Sequence, residues 1–145
     1  MRPSSISEDR FGVAIDDILG GIRINIEEGL PTAIHNAAKV GAKSWRENAR
    51  AKFKDGETYR KGGKTYKIGE YARSIRTHML SKEREKVTSE IGVPKMPGLA
   101  HLLEDGHAKI GGGKVPGRPH VIFAREDAYA AAEHFVNELV EETLK

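Results

Sequence analysis

The chain has no cysteine, which excludes disulfides, thiolate metal sites and cysteine nucleophiles and fits a cytosolic product. It also lacks any run approaching the roughly 20 apolar residues that a bilayer helix needs. Met1 leads into the polar segment Arg2-Pro3-Ser4-Ser5, not into a basic start followed by an apolar stretch. A soluble, unprocessed protein with no membrane partner is expected. Aromatic residues are scarce at 6%, and hydrophobic residues make up 38% against 31% charged, so a core can form but with modest material. Partner subunits are expected to supply part of the burial. A length of 145 residues fits one domain with little room for a second.

Signatures of catalysis are missing as well. No GxSxG elbow presents a serine, and no HExxH pair sets two histidines on one helical face. His101, Glu104 and His107 stand at three-residue steps with His120 downstream, and imidazole and carboxylate are ordinary zinc ligands. Gly106 is expected to end the helix before His107, however, so the histidines are expected to hydrogen-bond locally or across a subunit boundary. Gly111-Gly112-Gly113-Lys114 lacks the earlier glycine of a phosphate loop, and Val115 follows where Ser or Thr would bind magnesium. No catalytic residue, metal or cofactor is expected.

What is present is a division of charge. Residues 39 to 86 hold 15 Lys and Arg against 6 Asp and Glu, whereas the segments before and after each sum to minus 3. A basic middle between acidic ends steers one face of a subunit toward the opposite face of its neighbour, or toward nucleic acid.

Residues 1 to 8 read as a flexible arm ahead of one domain spanning 9 to 145. From Phe11 through Ile15, Ile18, Ile22, Ile26, Leu30, Ala33, Ala37, Val40 and Ser44, apolar or small residues recur at steps of three and four, the mark of a long amphipathic helix. Pro31 lacks an amide donor, so two helices, or one kinked there, are expected. Trp45 is read as a packing anchor, and Arg46, Arg50, Lys52 and Lys54 complement the negative end of the helix dipole. Two lysine-rich segments flank Gly62-Gly63, which predicts a hairpin arm over about 54 to 68 with Tyr59 and Tyr66 on its sides.

Ser74–Leu80 and Lys86–Val93 read as antiparallel strands joined by a charged turn. Leu99–Glu104 reads as a short helix closed by Gly106, and a mobile glycine-rich loop is expected over about 106 to 118. A final helix from about Ala124 to Leu144 carries Ala128, Ala132, Phe135, Leu139 and Thr143 on one side, with Tyr129, Val136 and Val140 beside them. The fold class is α+β: a small antiparallel sheet against a long N-terminal helical region and a C-terminal helix, with a projecting hairpin.

Three segments, Gly69-Glu70-Tyr71-Ala72-Arg73-Ser74-Ile75, Gly98 to Ala108, and Gly117-Arg118-Pro119-His120-Val121, occur in the order and at the separations of one family. They resemble, respectively, the glycine-containing approach to the first long strand, the Ala-x-x-x-Glu-x-Gly segment and the Arg-Pro-hydrophobic approach to the last helix of the tail-component and head-to-tail joining proteins of long-tailed bacteriophages. The chain departs from that pattern where the hairpin over 54 to 68 replaces the usual Pro-x-x-Thr-Gly. The resemblance implies a structural virion protein of the neck: a head–tail joining, tail completion or tail terminator subunit, with no catalytic residue. It implies a homo-oligomeric ring, hexameric by the resemblance and dodecameric if on the connector side, beside the tail tube and connector or stopper proteins.

Glu104, His107, Arg118, His120, Tyr59 and Tyr66 are the candidate subunit contacts, with Glu104 as the expected carboxylate partner of Arg118. The alternative is a basic DNA-binding module using Arg46, Arg50, Lys61, Lys64 and Lys67 against phosphates, with non-specific contact to genomic DNA.

Overall fold

The computed structural model describes residues 8–54, 56–61, 63–83, 86–96, 98–109 and 111–145. The expected N-terminal arm lies outside these residues except for Glu8, which opens the first helix, α1 (Glu8–Lys52). The side chains of residues 8–14, 59 and 61 also lie outside the description.

α1 is one helix of 45 residues with Pro31 inside it, so of the two expected alternatives the single helix is the one that forms. Proline removes a main-chain hydrogen bond at a cost of about 3 kcal/mol in an isolated helix, and tertiary packing offsets that cost here. The last helix, α4 (Val121–Thr143), lies antiparallel along α1, with Leu139 against Gly29 and Ala124 and Ala128 against Gly41. At Gly41 an added Cβ would stand 2.6 Å from Ile91 Cδ1 and 2.7 Å from Ala128 Cβ, so the absence of a side chain sets how closely the two helices and the sheet approach. α4 starts three residues earlier than its periodicity indicates.

Between these helices the chain forms three two-stranded antiparallel ladders instead of a single sheet. β1 (Thr58–Lys61) and β2 (Lys64–Lys67) form the expected hairpin, with Tyr59 opposite Tyr66 and Gly63 at φ +78° in the turn. β3 (Arg76–Glu83) and β4 (Lys86–Gly92) follow, with an irregularity between Met79 and Ser81 that leaves Leu80 out of the pairing. β5 (Gly106–Ala108) and β6 (Lys114–Pro116) form a short hairpin inside the segment expected to be an unpaired glycine-rich loop. The loop at its tip is closed by main-chain hydrogen bonds from Lys109 to Gly113 and from Gly112 to Lys109.

Two further helices complete the fold: α2 (Ile68–Ser74) and α3 (Leu99–Asp105). α2 shows that the approach to β3, read in the sequence at Gly69–Ile75, is itself helical. Glu70 accepts from the main-chain N–H of Lys67 at 3.1 Å, a local cap that favours a helical turn, and Ile68, Tyr71, Ala72 and Ser74 face the interior. The core joins Ala42, Trp45, Ala49 and Phe53 of the α1 C-terminal half to Tyr71 and Ile75, Leu99 and Leu103, and Ala124. All four helices therefore meet at one end of α1. Among the described residues no other element packs along the other end, because α4 ends one turn past the Leu139–Gly29 contact; at 1.5 Å per residue the helix from Glu8 to about residue 24 extends about 25 Å beyond it.

Candidate functional site

The ionisable residues singled out in the sequence converge on the start of α4, but they face inward. Trp45 donates its Nε1–H to Tyr71 Oη at 2.9 Å, and Tyr71 Oη lies 2.7 Å from His120 Nε2. Indole is a donor only, so the Tyr71 oxygen accepts there and its own hydrogen goes to His120 Nε2. His120 Nδ1 is 2.8 Å from the Arg118 carbonyl and 3.1 Å from Glu104 Oε2, both acceptors, so Nδ1 carries the proton of the neutral ring. The Phe53 and Tyr71 rings meet the imidazole edge-on, with centroids at 5.2 and 5.6 Å.

Glu104 closes the network and starts the helix. Its Oε2 accepts from the N–H groups of His120 and Val121 at 2.7 and 2.8 Å, and its Oε1 accepts from Ile122 at 3.2 Å. Those donors belong to the first turn of α4, where no intrahelical acceptor exists and the helix dipole favours an anion. Burial pushes the carboxyl pKa up, yet the three main-chain donors and nearby His120 together outweigh it and hold Glu104 below its ordinary value. Burial lowers the His120 pKa, and the opposing pull of the Arg118 carbonyl and Glu104 does not restore it. Inside the fold the pair is therefore a carboxylate and a neutral imidazole.

The His120 side chain is 0% exposed, and the hydrogen bonds of this constellation tie α1, α2 and α3 to the start of α4. His120 as a contact to a neighbour is accordingly corrected: its polar atoms are all engaged within the chain. Within the chain Arg118 and Glu104 do not pair with each other. Arg118 binds Glu57 through both guanidinium nitrogens, at 2.9 and 3.0 Å, donates to the Lys52 carbonyl at 3.2 Å and lies 5.0 Å from the centre of the Phe53 ring. The cation thus covers the C-terminal end of α1, where the helix carbonyls favour positive charge.

The remaining candidates scatter. His107 is half-buried beside a cavity of about 310 Å³ with Phe53, Leu99 and Leu103, and its Nδ1 has no hydrogen-bond partner among the described residues. Tyr66 packs on the core from the β1–β2 hairpin, whereas Tyr59 and Lys61 side chains are outside the description. Among the candidate DNA contacts, Arg46 is drawn inward, donating to the Ile75 carbonyl at 2.7 Å, while Arg50, Lys64 and Lys67 are exposed. His101 pairs with Asp105 at 2.8 Å on an exposed face, away from His107. Among the described residues no group of three or more His, Asp or Glu is disposed to hold a metal, and no described helix is long and apolar enough to cross a membrane.

The residues that sequence reasoning passed over are Tyr71, Glu57 and the lining of an open groove. This groove, about 610 Å³, lies between α1, β4 and α4 and is mainly apolar, with Ile34, Ala38, Val87, Ile91, Ala128 and Ala132 along it. Leu80, displaced by the β3 irregularity, and Tyr129 stand at its rim, 56% and 64% exposed.

Comparison with family models, with curated proteins and with solved structures returned no match.

Proposed function

We propose that this chain is a structural subunit of a long-tailed bacteriophage virion, acting at the head–tail junction in joining, tail completion or tail termination and assembling there as a ring beside the tail tube or connector. The observation that carries the reading is the distribution of chemistry. The titratable cluster is enclosed and spent on the fold, whereas large apolar side chains are presented outward: Ile18 and Leu19 on the overhanging part of α1 are 63% and 58% exposed. Exposed apolar groups in contiguous stretches are the mark of surfaces made to meet other proteins. The three motifs that resemble neck and tail components supply the assignment to a virion, and six copies per ring is the number that resemblance favours.

The decisive measurement is native mass spectrometry, with electron imaging, of the purified chain alone and after mixing with tail tubes of the phage that encodes it. Closed rings seated on tube ends are expected. A lone monomer with a turnover chemistry of its own, missing from purified virions, overturns the proposal. A second reading, a basic DNA-binding module, is favoured by the exposed cations Arg50, Arg60, Lys64 and Lys67. Filter binding at two salt concentrations tests it, since each phosphate contacted steepens the loss of affinity with salt.

A further inference from the structure

We propose that the overhanging half of α1 in one copy docks into the apolar groove between α1, β4 and α4 of the next copy. This deepens the ring reading and rests only on its self-association step, not on the virion assignment.

The two surfaces match in chemistry and pattern. Ile15, Ile18, Leu19 and Ile22 follow the i, i+3, i+4, i+7 rule of a helix laid into a groove. Their span of seven residue steps, about 11 Å at 1.5 Å per residue, fits within the groove, which runs from Ile34 to Trp45 on α1 and from Val121 to Ala132 on α4. Asp16, Asp17, Glu27 and Glu28 border the stripe with one cation, Arg23. Arg125 lies in the groove, with Lys86 at its β4 end, against one carboxylate, Glu90.

Self-docking within one chain is impossible, because stripe and groove lie on the same continuous helix: Ile18 is sixteen residues, about 24 Å, from Ile34 along its axis. The contact joins two different surfaces, so it is heterologous and propagates from copy to copy until the rotation closes.

The chain has no cysteine, so cysteines can be introduced without a background. Full-length Ile18→Cys and Tyr129→Cys, and the double variant, are treated with a short bis-maleimide and run on denaturing gels. The double variant is expected to give a ladder of covalent oligomers, the mixed single variants a dimer containing one of each, and each single variant alone no dimer. Ile18→Asp with Leu19→Asp is expected to reduce the native mass to that of the monomer, with an unchanged circular dichroism spectrum because both side chains are exposed. Dimers of Ile18→Cys alone would mean that two stripes pair with each other, and would overturn the inference. Oligomeric wild type with no cross-link in the mixture would overturn it while leaving the ring intact. A monomer at every concentration would overturn both.

Discussion

Replacing Glu104 by Ala removes the acceptor for three consecutive main-chain N–H groups, those of His120, Val121 and Ile122. The carboxylate side chain is only 18% exposed, so water does not readily take its place. A net hydrogen bond to a charged group contributes about 1.5–3 kcal/mol, and loss of a helix cap costs about 1 kcal/mol. The three donors are adjacent and Ile122 is reachable by solvent, so their contributions do not add in full. The expected loss is about 3 kcal/mol, a fall in Tm of about 6–12 °C at 2–4 °C per kcal/mol for a chain of this size. Glu104→Gln keeps one acceptor oxygen and loses the charge, so about half that loss is expected.

Urea denaturation followed by circular dichroism measures both variants, and the pH dependence supplies an internal control. Because folding holds the Glu104 pKa below its ordinary 4.5, its contribution is complete above that value and is lost as pH falls through the depressed one. The advantage of wild type over Glu104→Gln is therefore expected to shrink in acid. A loss below about 1 kcal/mol for Glu104→Ala at neutral pH, outside even the lower bound for one charged hydrogen bond, would refute this account of how α4 begins.

Three further outcomes follow from the same geometry. Tyr71→Phe leaves Trp45 Nε1–H and His120 Nε2 without their shared hydroxyl, and about 2 kcal/mol of stability is expected to be lost, read as a shift of the urea midpoint at constant slope. His120 is held below its ordinary 6.5, so stability is full above that pH and falls as pH drops below it. Urea midpoints between pH 8 and 5.5 are expected to fall in wild type and to lose that component in His120→Gln. Gly41→Ala gains about 1 kcal/mol of helix propensity but drives a methyl into Ile91 and Ala128. Net destabilisation of about 1–2 kcal/mol is expected from overpacking, and a variant more stable than wild type in thermal denaturation would contradict the close α1–α4 approach.

Elements with a local cause were legible in the sequence. The hairpin at Gly62-Gly63, the short helix ended by Gly106 at φ +85° and the long terminal helices all declare themselves within a few residues. At Pro31 the sequence left two helices or a single one open, and the packing against α4 that goes with the single helix comes from more than a hundred residues away, where no local rule registers it. Gly69–Ile75 was read by resemblance as the approach to a strand, and its helical form went unread although the Lys67–Glu70 cap was a local signal for it. Of the candidate subunit contacts, Glu104 and His120 come together at the start of α4, with Arg118 two residues before His120. Their further partners were not legible, since Tyr71 lies 49 residues from His120 and Glu57 lies 61 from Arg118. Charge and hydrogen-bonding capacity can be read from a residue, but the group that satisfies them is chosen by the fold.

The proposed assembly would give the apolar residues that remain outside the core a place to be buried. Among the described residues seven of the sixteen buried hydrophobic side chains are alanine, so the interior gains from close helix approach more than from large side chains. Ile15, Ile18 and Leu19 stay outside. Full burial of each contributes about 1.5–3 kcal/mol, together at most about 5–9 kcal/mol, while association costs about 4–15 kcal/mol in lost freedom and side-chain ordering. One docked arm therefore leaves little net affinity. A subunit in a closed ring gives one arm and receives another, and the last contact forms between ends already held together, so its translational cost is small. The weakness of the single contact thus argues for closure over pairing, with the thin core and the exposed stripe as two sides of one design.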